Sequence, residues 1–214
     1  MRRMRVRPPR TDYRLGQLTE AATPAEPYAL FTRWFSRVLE AGGPDPHAFA
    51  LATADRRGAP SVRMMLLKEW SERGFVFATN QRSRKGREIA ATKRASLLFY
   101  WPAQQRQVRI EGAIAPVSEA ESDLYFRERP RDAQLGAWAS RQSTVIAGRE
   151  TIAGRLAAAT AKFAGHDVER PEYWGGYRLV AKRIEFWQGR ASRLHDRIVY
   201  TRTPRGWKKQ RLSP

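Results

Sequence analysis

The chain has 214 residues, 42% of them hydrophobic, which is enough for one large domain or two small ones with a buried core. It contains no cysteine, and this excludes disulfides, thiol nucleophiles and thiolate metal sites. Lysine and arginine number 40 against 21 for aspartate and glutamate, and the resulting net charge of +19 favours anionic partners: nucleic acid, an anionic membrane surface or phosphorylated small molecules.

The basic residues are spread along the whole chain, which weakens the interpretation as a nucleic-acid-binding arm or tail. No apolar run reaches the roughly 18–20 residues that span a bilayer, and the arginine-rich N-terminus lacks the apolar core of a signal peptide. We therefore expect a cytoplasmic protein.

The first 22 residues differ in composition from the rest of the chain. They are rich in arginine and proline and poor in apolar residues, which is typical of a mobile arm. Arg10 and Tyr13 are the only distinctive residues within it. We predict an arm over residues 1–22 and a single domain over residues 23–214.

An amphipathic helix is predicted directly after the arm. Thr23 and Glu26 have the spacing of a capping box, and the apolar residues after them repeat at helical spacing as far as Gly42. An apolar run over residues 47–54 predicts the first strand, and residues 55–58 have the composition of a hairpin turn.

The next two segments place cations where an anion could bind. Residues 61–69 predict a buried strand with Arg63 and Lys68 near its ends. After a strand over residues 74–79, Arg84 and Lys85 lie near the start of a helix, where backbone N–H groups also attract anions. Both the charge and the position next to a helix N-terminus therefore predict a phosphate site. The alternative is that these residues form an ordinary exposed turn.

Strands dominate the rest of the chain. Residues 95–101 and 106–115 predict two of them, and residues 177–188, 196–201 and 207–212 predict three more at the C-terminal end. Five or more strands with short links favour an antiparallel barrel over a doubly wound parallel sheet. The predicted fold is therefore mainly β, an antiparallel barrel with flanking helices.

Three helices are predicted between these strands. Ser118 and Glu121 form a capping box at the start of the first, and Tyr125 and Arg129 share one of its faces because they are four residues apart. A short helix around residues 132–139 follows, then an alanine-rich helix. We place Gln142 and Ser143 at the start of that last helix and expect a loop at residues 174–176.

A row of charges follows the last long strand. Arg193, His195 and Arg197 are spaced two apart, which in an extended chain places all three on one face. Such a row is unfavourable unless an anion or a polar ring lies against it. The alternative is a solvated strand edge.

The sequence lacks several common chemical motifs. It has no dinucleotide-binding, P-loop or nucleophile-elbow motif. His47, His166 and His195 are far apart, so no metal site is predicted. Asp45 lies on a suggestive turn, although a turn or capping role is the simpler interpretation.

Seven short motifs, in order along nearly the whole chain, resemble the pyridoxine/pyridoxamine 5′-phosphate oxidase family. They are R-M-M-L-L-K (63–68), T-N-Q-R-S-R-K (79–85), R-Q-V-R (106–109), Y-F-R-E-R-P-R-D-A-Q-L-G-A-W (125–138), Q-S (142–143), W-G-G-Y-R (174–178) and I-E-F-W-Q-G-R-A-S-R-L-H-D-R (184–197). The resemblance implies a split β-barrel homodimer with FMN at the subunit interface. It also implies oxidation of pyridoxamine and pyridoxine 5′-phosphates to pyridoxal 5′-phosphate, with dioxygen as acceptor and hydrogen peroxide as product.

The resemblance also implies roles for individual residues. The implied FMN contacts are Arg63, Met64, Met65, Leu66, Leu67, Lys68, Ala78, Thr79, Arg84, Lys85, Gln107, Gln142, Ser143, Trp187 and Arg197. The implied substrate contacts are Lys68, Tyr125, Arg129 and the position of Ala133 for the phosphate, Arg193 and His195 for the ring, and Arg10 and Tyr13 for closure. The implied catalytic set is Arg193, His195 and Asp45.

Two positions depart from the family pattern. Ala78 stands where relatives often have an aromatic residue beside the flavin, and Ala133 stands where a serine hydroxyl commonly reaches the substrate phosphate. Loss of one hydrogen bond to a charged group costs roughly 1.5–3 kcal/mol, so substrate affinity is expected to be weaker unless Arg131 or a water substitutes.

Two other functions remain open from the sequence. A related flavin oxidase of the phenazine type would accept a larger aromatic substrate without a phosphate, and Ala133 favours it while Lys68, Tyr125 and Arg129 oppose it. A basic barrel that binds nucleic acid and has no enzymatic activity is suggested only by the net charge.

Overall fold

The structure is a computed structural model that describes Arg5 and residues 12–214. Arg10 lies outside the described residues, so its contact with substrate stays a prediction. The elements in chain order are α1 (Pro27–Ala41), β1 (Ala48–Ala54), β2 (Pro60–Leu66), β3 (Glu69–Ser71), β4 (Gly74–Asn80), α2 (Arg84–Thr92), β5 (Arg94–Trp101), β6 (Arg106–Pro116), α3 (Glu119–Arg127), α4 (Arg131–Ala139), α5 (Arg149–Lys162), β7 (Trp174–Gln188), β8 (Asp196–Thr203) and β9 (Gly206–Leu212), with single 3₁₀ turns at Pro102–Gln104 and Ala191–Arg193.

All nine strands belong to one antiparallel sheet that curls into a barrel. The order is β2-β1-β5-β6-β7-β4-β3, and β8 and β9 continue from β7. Phe49 on β1 meets Phe77 on β4 with ring centroids 5.7 Å apart, although β5, β6 and β7 lie between these strands in the sheet. After β2, the N–H of Lys68 donates to the carbonyl of Val76 at 2.8 Å. The predicted antiparallel barrel is confirmed.

Helix α1 carries the largest aromatic contribution to the core. Phe31 is fully buried and packs against three strands, with ring centroids 4.9 Å from Phe75, 5.2 Å from Phe99 and 5.8 Å from Trp70. Because β3, β4 and β5 all contact this one ring, the helix ties together strands from distant parts of the sheet.

The predicted capping box at the start of α1 is wrong. Glu26 is the N-cap residue and its side chain makes no capping hydrogen bond, while Pro27 opens the helix with a favourable fixed φ. The hydroxyl of Thr23 instead donates to the carbonyl of Glu20 at 3.0 Å. The second predicted box is confirmed, because Ser118 and Glu121 cap α3 reciprocally.

Strand β2 is not the buried strand that its apolar run predicted. Its residues alternate between exposed and half-buried, and Val62, Met64 and Leu66 are 68%, 64% and 45% exposed. A contiguous apolar strand face of this kind is unusual on the surface of a monomer. In the single chain, β2 thus presents an uncovered apolar face next to Arg63.

The predicted loop at residues 174–176 is also wrong, because β7 begins at Trp174 and pairs with β4 there. A Cβ atom at Gly176 would lie 2.7 Å from a methyl group of Val117, so glycine is needed for close packing and not for a turn. Gln142 and Ser143 lie in a turn before α5, which begins only at Arg149.

The described part of the predicted arm lies against the barrel. Leu18 is 3% exposed, and its N–H donates to Asp196 at 3.0 Å. Arg190 donates to the carbonyl of Gly16 at 2.9 Å. The domain boundary at residue 22 stays a prediction. Among the described residues, no helix combines the length and apolar character needed to cross a membrane.

Substitution of Phe31 tests the core. Phe31→Ala should lower the free energy of unfolding by about 3–5 kcal/mol, because it leaves a cavity among several rings. Leu39→Ala, on the exposed side of the same helix, should change it by less than about 1 kcal/mol. Chemical denaturation measures both, and equal effects would contradict the packing described.

Candidate active site

A cavity of about 840 Å³ lies between β2, β4, the start of α2 and helix α4. The described residues that line it include no aspartate or glutamate. Its walls carry five cationic residues, Arg63, Lys68, Arg84, Lys85 and Arg129. A cationic lining of this kind attracts anions. Other predicted site residues that line it are Met64, Met65, Leu66, Ala78, Thr79, Ala133, Gln142 and Ser143.

Lys85 is the most buried of these cations, 7% exposed in the first turn of α2. Its Nζ donates to Thr79 Oγ1 at 3.0 Å and to Gln142 Oε1 at 2.8 Å. Burial, together with the charge of Arg63, lowers the pKa of Lys85 to about 8. Three predicted cofactor residues, from β4, α2 and the turn before α5, therefore lie together. A bound anion would stabilise the charged form of the Lys85 ammonium group at their centre.

Glu88 lies behind the cationic wall and was missed by the sequence reasoning. Its carboxylate accepts from Arg84 Nε at 2.8 Å and from the hydroxyls of Thr53 and Ser61. Those hydroxyls in turn accept from the guanidinium of Arg63. Burial opposes ionisation of Glu88, but these hydrogen bonds and the charge of Arg63 lower its pKa to about 2. The spacing of four from Arg84 was the only local signal.

A second cavity, of about 300 Å³, holds another part of the predicted site. The residues that line it are Leu98, Gln107, Arg109, Glu185, Trp187, Arg197 and Pro214. It contains three predicted cofactor residues, Gln107, Trp187 and Arg197. No residue lines both cavities, so the single chain separates the predicted cofactor contacts into two groups.

Glu185 organises this second group and was also missed as a site residue. It accepts from Arg197 Nε at 2.7 Å and from Arg109 Nη2 at 2.7 Å, with only 6% of its side chain exposed. Arg109 lies directly opposite Glu185 in the pairing of β6 with β7. The hydrogen bond to Glu185 raises the pKa of Arg197, which fixes its guanidinium in the charged form.

The predicted row of Arg193, His195 and Arg197 on one extended face is wrong. Arg193 ends a 3₁₀ turn with φ 61°, directly after Ser192 with φ 55°, and β8 begins only at Asp196. Two consecutive left-handed residues break the alternation. Arg193 is exposed, whereas His195 and Arg197 are half-buried.

His195 instead packs on Trp187, with ring centroids 4.5 Å apart. Its Nδ1 accepts from the N–H of Arg190 at 3.1 Å, so the neutral ring carries its proton on Nε2. Burial, and then the charge of Arg193, lowers the pKa of His195. The ring is therefore a neutral donor near pH 7.

Tyr13 completes this aromatic group. Its ring centroid lies 5.9 Å from that of Trp187 and 5.7 Å from that of His195. A Cβ atom at Gly189 would lie 2.7 Å from the Tyr13 ring, so the chain needs glycine there for this approach. Tyr13 thus lies next to a residue predicted to contact substrate.

Arg129 is a predicted substrate-phosphate residue that lines the first cavity. Its Nη2 donates to the carbonyl of Ala133 at 2.8 Å, and its Cζ lies 5.0 Å from the centroid of the Trp174 ring. Its Nε is buried and has no hydrogen-bond partner among the described residues. Burial lowers the pKa of Arg129. A buried N–H without a partner is costly, and no described residue offsets that cost here.

Six of the predicted residues that the structure describes line neither cavity: Tyr13, Arg193 and His195, placed above, and Asp45, Leu67 and Tyr125. Asp45 is exposed in the loop before β1, Leu67 is buried in the barrel core, and Tyr125 packs behind the cavity wall. Their predicted roles stay predictions.

Two family models match the chain. Residues 37–163 match the model described as pyridoxamine 5′-phosphate oxidase, and residues 174–214 match the pyridoxine 5′-phosphate oxidase C-terminal dimerisation region, which supports a homodimer. Similar proteins named pyridoxine/pyridoxamine 5′-phosphate oxidase include one from Rubrobacter xylanophilus, 52% identical over 96% of this chain and 94% of its own length. Another, from Burkholderia multivorans, is 51% identical over 96% of this chain and 97% of its own length.

Solved structures with the same fold include PhzG from Burkholderia lata in complex with tetrahydrophenazine-1-carboxylic acid. It has a TM-score of 0.85 and 36% identity, and the match covers 91% of this chain and 95% of PhzG. A pyridoxamine 5′-phosphate oxidase-related, FMN-binding protein from Nostoc punctiforme has a TM-score of 0.70 at 17% identity, with 88% of this chain and 98% of that protein covered. The similarity to the Nostoc punctiforme protein shows only that the two chains share a fold.

The lowered pKa of Lys85 predicts how the stability of the protein depends on pH when no anion is bound. Between pH 8 and 10.5 the unfolded chain binds a proton at Lys85 that the folded chain has released, so this residue makes stability rise with pH. In Lys85→Met that contribution is absent, and the stability of the variant relative to wild type should fall across this window. Denaturation at several pH values measures the difference. Lys182→Met, at an exposed position on β7, should give a profile parallel to wild type.

Proposed function

The chain belongs to the pyridoxine/pyridoxamine 5′-phosphate oxidase family, and from that premise we propose that it oxidises pyridoxine and pyridoxamine 5′-phosphates to pyridoxal 5′-phosphate. FMN is the proposed cofactor and dioxygen the proposed electron acceptor, with release of hydrogen peroxide. The proposal places the enzyme in the synthesis and salvage of pyridoxal phosphate.

One observation carries this proposal: five cations and, among the described residues, no carboxylate line the larger cavity. Arg63, Arg84 and Lys85 form the first group, beside the start of α2. Lys68 and Arg129 line the same cavity, and we assign them to a second group. FMN and a phosphorylated vitamer each bring one phosphate, so the pair of ligands needs two separate cationic positions.

The residues present fit FMN. Arg63, Arg84 and Lys85 would hold its phosphate, because Glu88 already orients the two guanidinium groups and the pKa of Lys85 rises when an anion binds. Thr79 and Gln142 contact Lys85 and would face the same ligand. When bound, FMN supplies the acceptor for the hydride and the reaction with dioxygen.

The site is proposed to be shared between two chains. Gln107, Trp187 and Arg197 share no cavity with Lys85, so in one chain they cannot contact the same FMN through these pockets. The apolar face of β2 next to Arg63 is uncovered, and the match to a dimerisation region includes Trp187 and Arg197. We place Gln107, Trp187 and Arg197 of one chain against the larger cavity of its partner.

On the substrate side, the protein would position and polarise the vitamer. Arg193 is exposed and free to orient the substrate over the flavin and stabilise developing charge. His195 would donate from Nε2 to a substrate oxygen, since its Nδ1 is already occupied. Tyr13 lies beside His195 and would close over the substrate. Arg10 and Asp45 keep their predicted roles in closure and tuning.

A second candidate is a flavin oxidase that acts on a larger aromatic substrate without a phosphate. The similarity to PhzG and the absence of a hydroxyl at Ala133 favour it. The presence of Lys68 and Arg129 at the cavity favours the phosphorylated substrate. A nucleic-acid-binding barrel has only the net charge in its favour.

Spectroscopy and an oxidase assay separate these functions. The proposed enzyme purifies as a yellow protein with a flavin spectrum and releases peroxide when pyridoxamine 5′-phosphate is added. A flavoprotein that is inactive on both vitamers would support the phenazine-type candidate. A colourless protein with steeply salt-dependent binding to DNA or RNA would contradict both oxidases. The cytoplasmic location stays a prediction.

The proposed roles of Arg193 and Arg197 differ, and matched substitutions distinguish them. Arg193→Leu should lower turnover by at least about 100-fold and leave FMN retention unchanged, because it removes a contact made with the substrate. Arg197→Leu should weaken FMN retention, measured by flavin absorbance after gel filtration. Full activity of Arg193→Leu would contradict the proposed role of Arg193.

Mixing two inactive variants tests the shared site. Lys85→Met and Arg197→Leu should each lose FMN, since each removes one half of every site. After unfolding and refolding of an equal mixture, heterodimers contain one intact site, and activity should recover to about a quarter of wild type. A mixture as inactive as its parents would show that both residues serve a site within one chain.

A further inference from the structure

Glu69 is an acidic residue next to the proposed position of the substrate phosphate. It directly follows Lys68, which lines the cavity. Its Oε2 accepts a hydrogen bond from the hydroxyl of Tyr125 at 2.6 Å. Tyr125 is 6% exposed and packs in the same apolar cluster as Trp174, which also lines the cavity. The Glu69–Tyr125 pair therefore lies directly behind the wall that carries Lys68 and Arg129.

This hydrogen bond uses the only proton that Tyr125 can donate. A phenol has one O–H, and a phosphate dianion offers only acceptors. For Tyr125 to donate to a phosphate, its O–H must rotate away from Glu69. That rotation would leave a carboxylate oxygen and a phenol oxygen 2.6 Å apart without a proton between them, which is repulsive. Burial, and then the bond to Glu69, raises the pKa of Tyr125, so the tyrosine stays a donor.

The charge of Glu69 is only partly balanced. Arg178 Nη1 lies 3.5 Å from Glu69 Oε1, but Arg178 Nη2 makes a closer contact, 2.5 Å, with Glu121. Glu69 is also 43% exposed at its side chain, whereas Arg178 is 12% exposed. A phosphate bound at Lys68 and Arg129 would therefore meet both a competing acceptor and a nearby negative charge.

We propose that Glu69 is a specificity-determining residue that weakens the binding of phosphorylated substrates by holding the Tyr125 hydroxyl away from the phosphate. The inference rests on the proposed function, because it takes Lys68, Tyr125 and Arg129 as the phosphate site. Glu69 would thereby reduce the preference of this chain for a phosphate over a neutral group. The missing hydroxyl at Ala133 acts in the same direction.

The experiment measures binding without turnover. The ligands are 4-deoxypyridoxine 5′-phosphate and 4-deoxypyridoxine, which carry a methyl group at the carbon that would be oxidised. Calorimetry on the flavin-loaded protein gives both dissociation constants, and their ratio reports the preference for the phosphate. Glu69→Gln should raise this ratio about tenfold, because an amide N–H can donate to the Tyr125 oxygen and release its proton for the phosphate. Binding of the unphosphorylated ligand should not change.

Two further variants separate specificity from general effects. Glu121→Gln removes an equal negative charge from the same Arg178, but residue 121 makes no hydrogen bond with Tyr125. Glutamine also suits this position of the capping box. The ratio of dissociation constants in Glu121→Gln should therefore equal that of wild type. In a Tyr125→Phe background, Glu69→Gln should have a smaller effect, since only charge repulsion remains. An equal rise in Glu121→Gln, or an undiminished effect in Tyr125→Phe, would overturn the proposed competition.

The two proposals fail in different ways. If wild type prefers the phosphorylated ligand and releases peroxide with pyridoxamine 5′-phosphate, but Glu69→Gln leaves the ratio unchanged, only the role of Glu69 is wrong. If wild type shows no oxidase activity but Glu69→Gln raises the ratio, the role of Glu69 stands and the oxidase activity is wrong. If no variant prefers the phosphorylated ligand, the phosphate site and the role of Glu69 both fall.

Discussion

Two buried carboxylates hold four arginines in place, and both halves of the candidate site depend on them. Glu88 fixes Arg84 and, through two hydroxyls, Arg63, while Glu185 fixes Arg197 and Arg109. Like charges on neighbouring walls would otherwise repel and turn toward solvent. Glu88 lies behind the cations and does not line the larger cavity, so it orients the guanidinium groups without filling the position of an incoming anion. Glu185 lines the second cavity together with Arg109 and Arg197 and holds both by hydrogen bonds.

The fold and four cations of the larger cavity could be predicted from local signals in the sequence, whereas the other predicted lining residues came from the family resemblance. Alternating strands with short links gave the antiparallel barrel, and the basic residues near the start of α2 indicated an anion site. Glu88 and Glu185 were not recognised as site residues, because their roles depend on partners from other elements. Thr53 is 35 residues from Glu88, and Arg109 is 76 from Glu185. The burial of Glu185 follows from strand register, and that of Glu88 from the packing of α2 against β1 and β2, and composition gives neither.

Two other failures have different physical causes. The apolar run of β2 predicted a buried strand, but none of the described residues covers Val62 and Met64. The row of Arg193, His195 and Arg197 failed because Ser192 and Arg193 adopt left-handed conformations that residues other than glycine seldom take. An alternation in the sequence cannot reveal such a turn. Backbone strain of this kind is common next to functional groups.

The division of cationic residues between two cavities has a thermodynamic consequence. If one flavin bridges both groups across a dimer, cofactor binding and subunit association are linked equilibria, and each must strengthen the other by the same factor. Flavin supply would then set the fraction of assembled protein at low chain concentration, and dilution would release cofactor. A cell short of riboflavin would hold this protein increasingly as separate chains, each with the apolar face of β2 open to solvent.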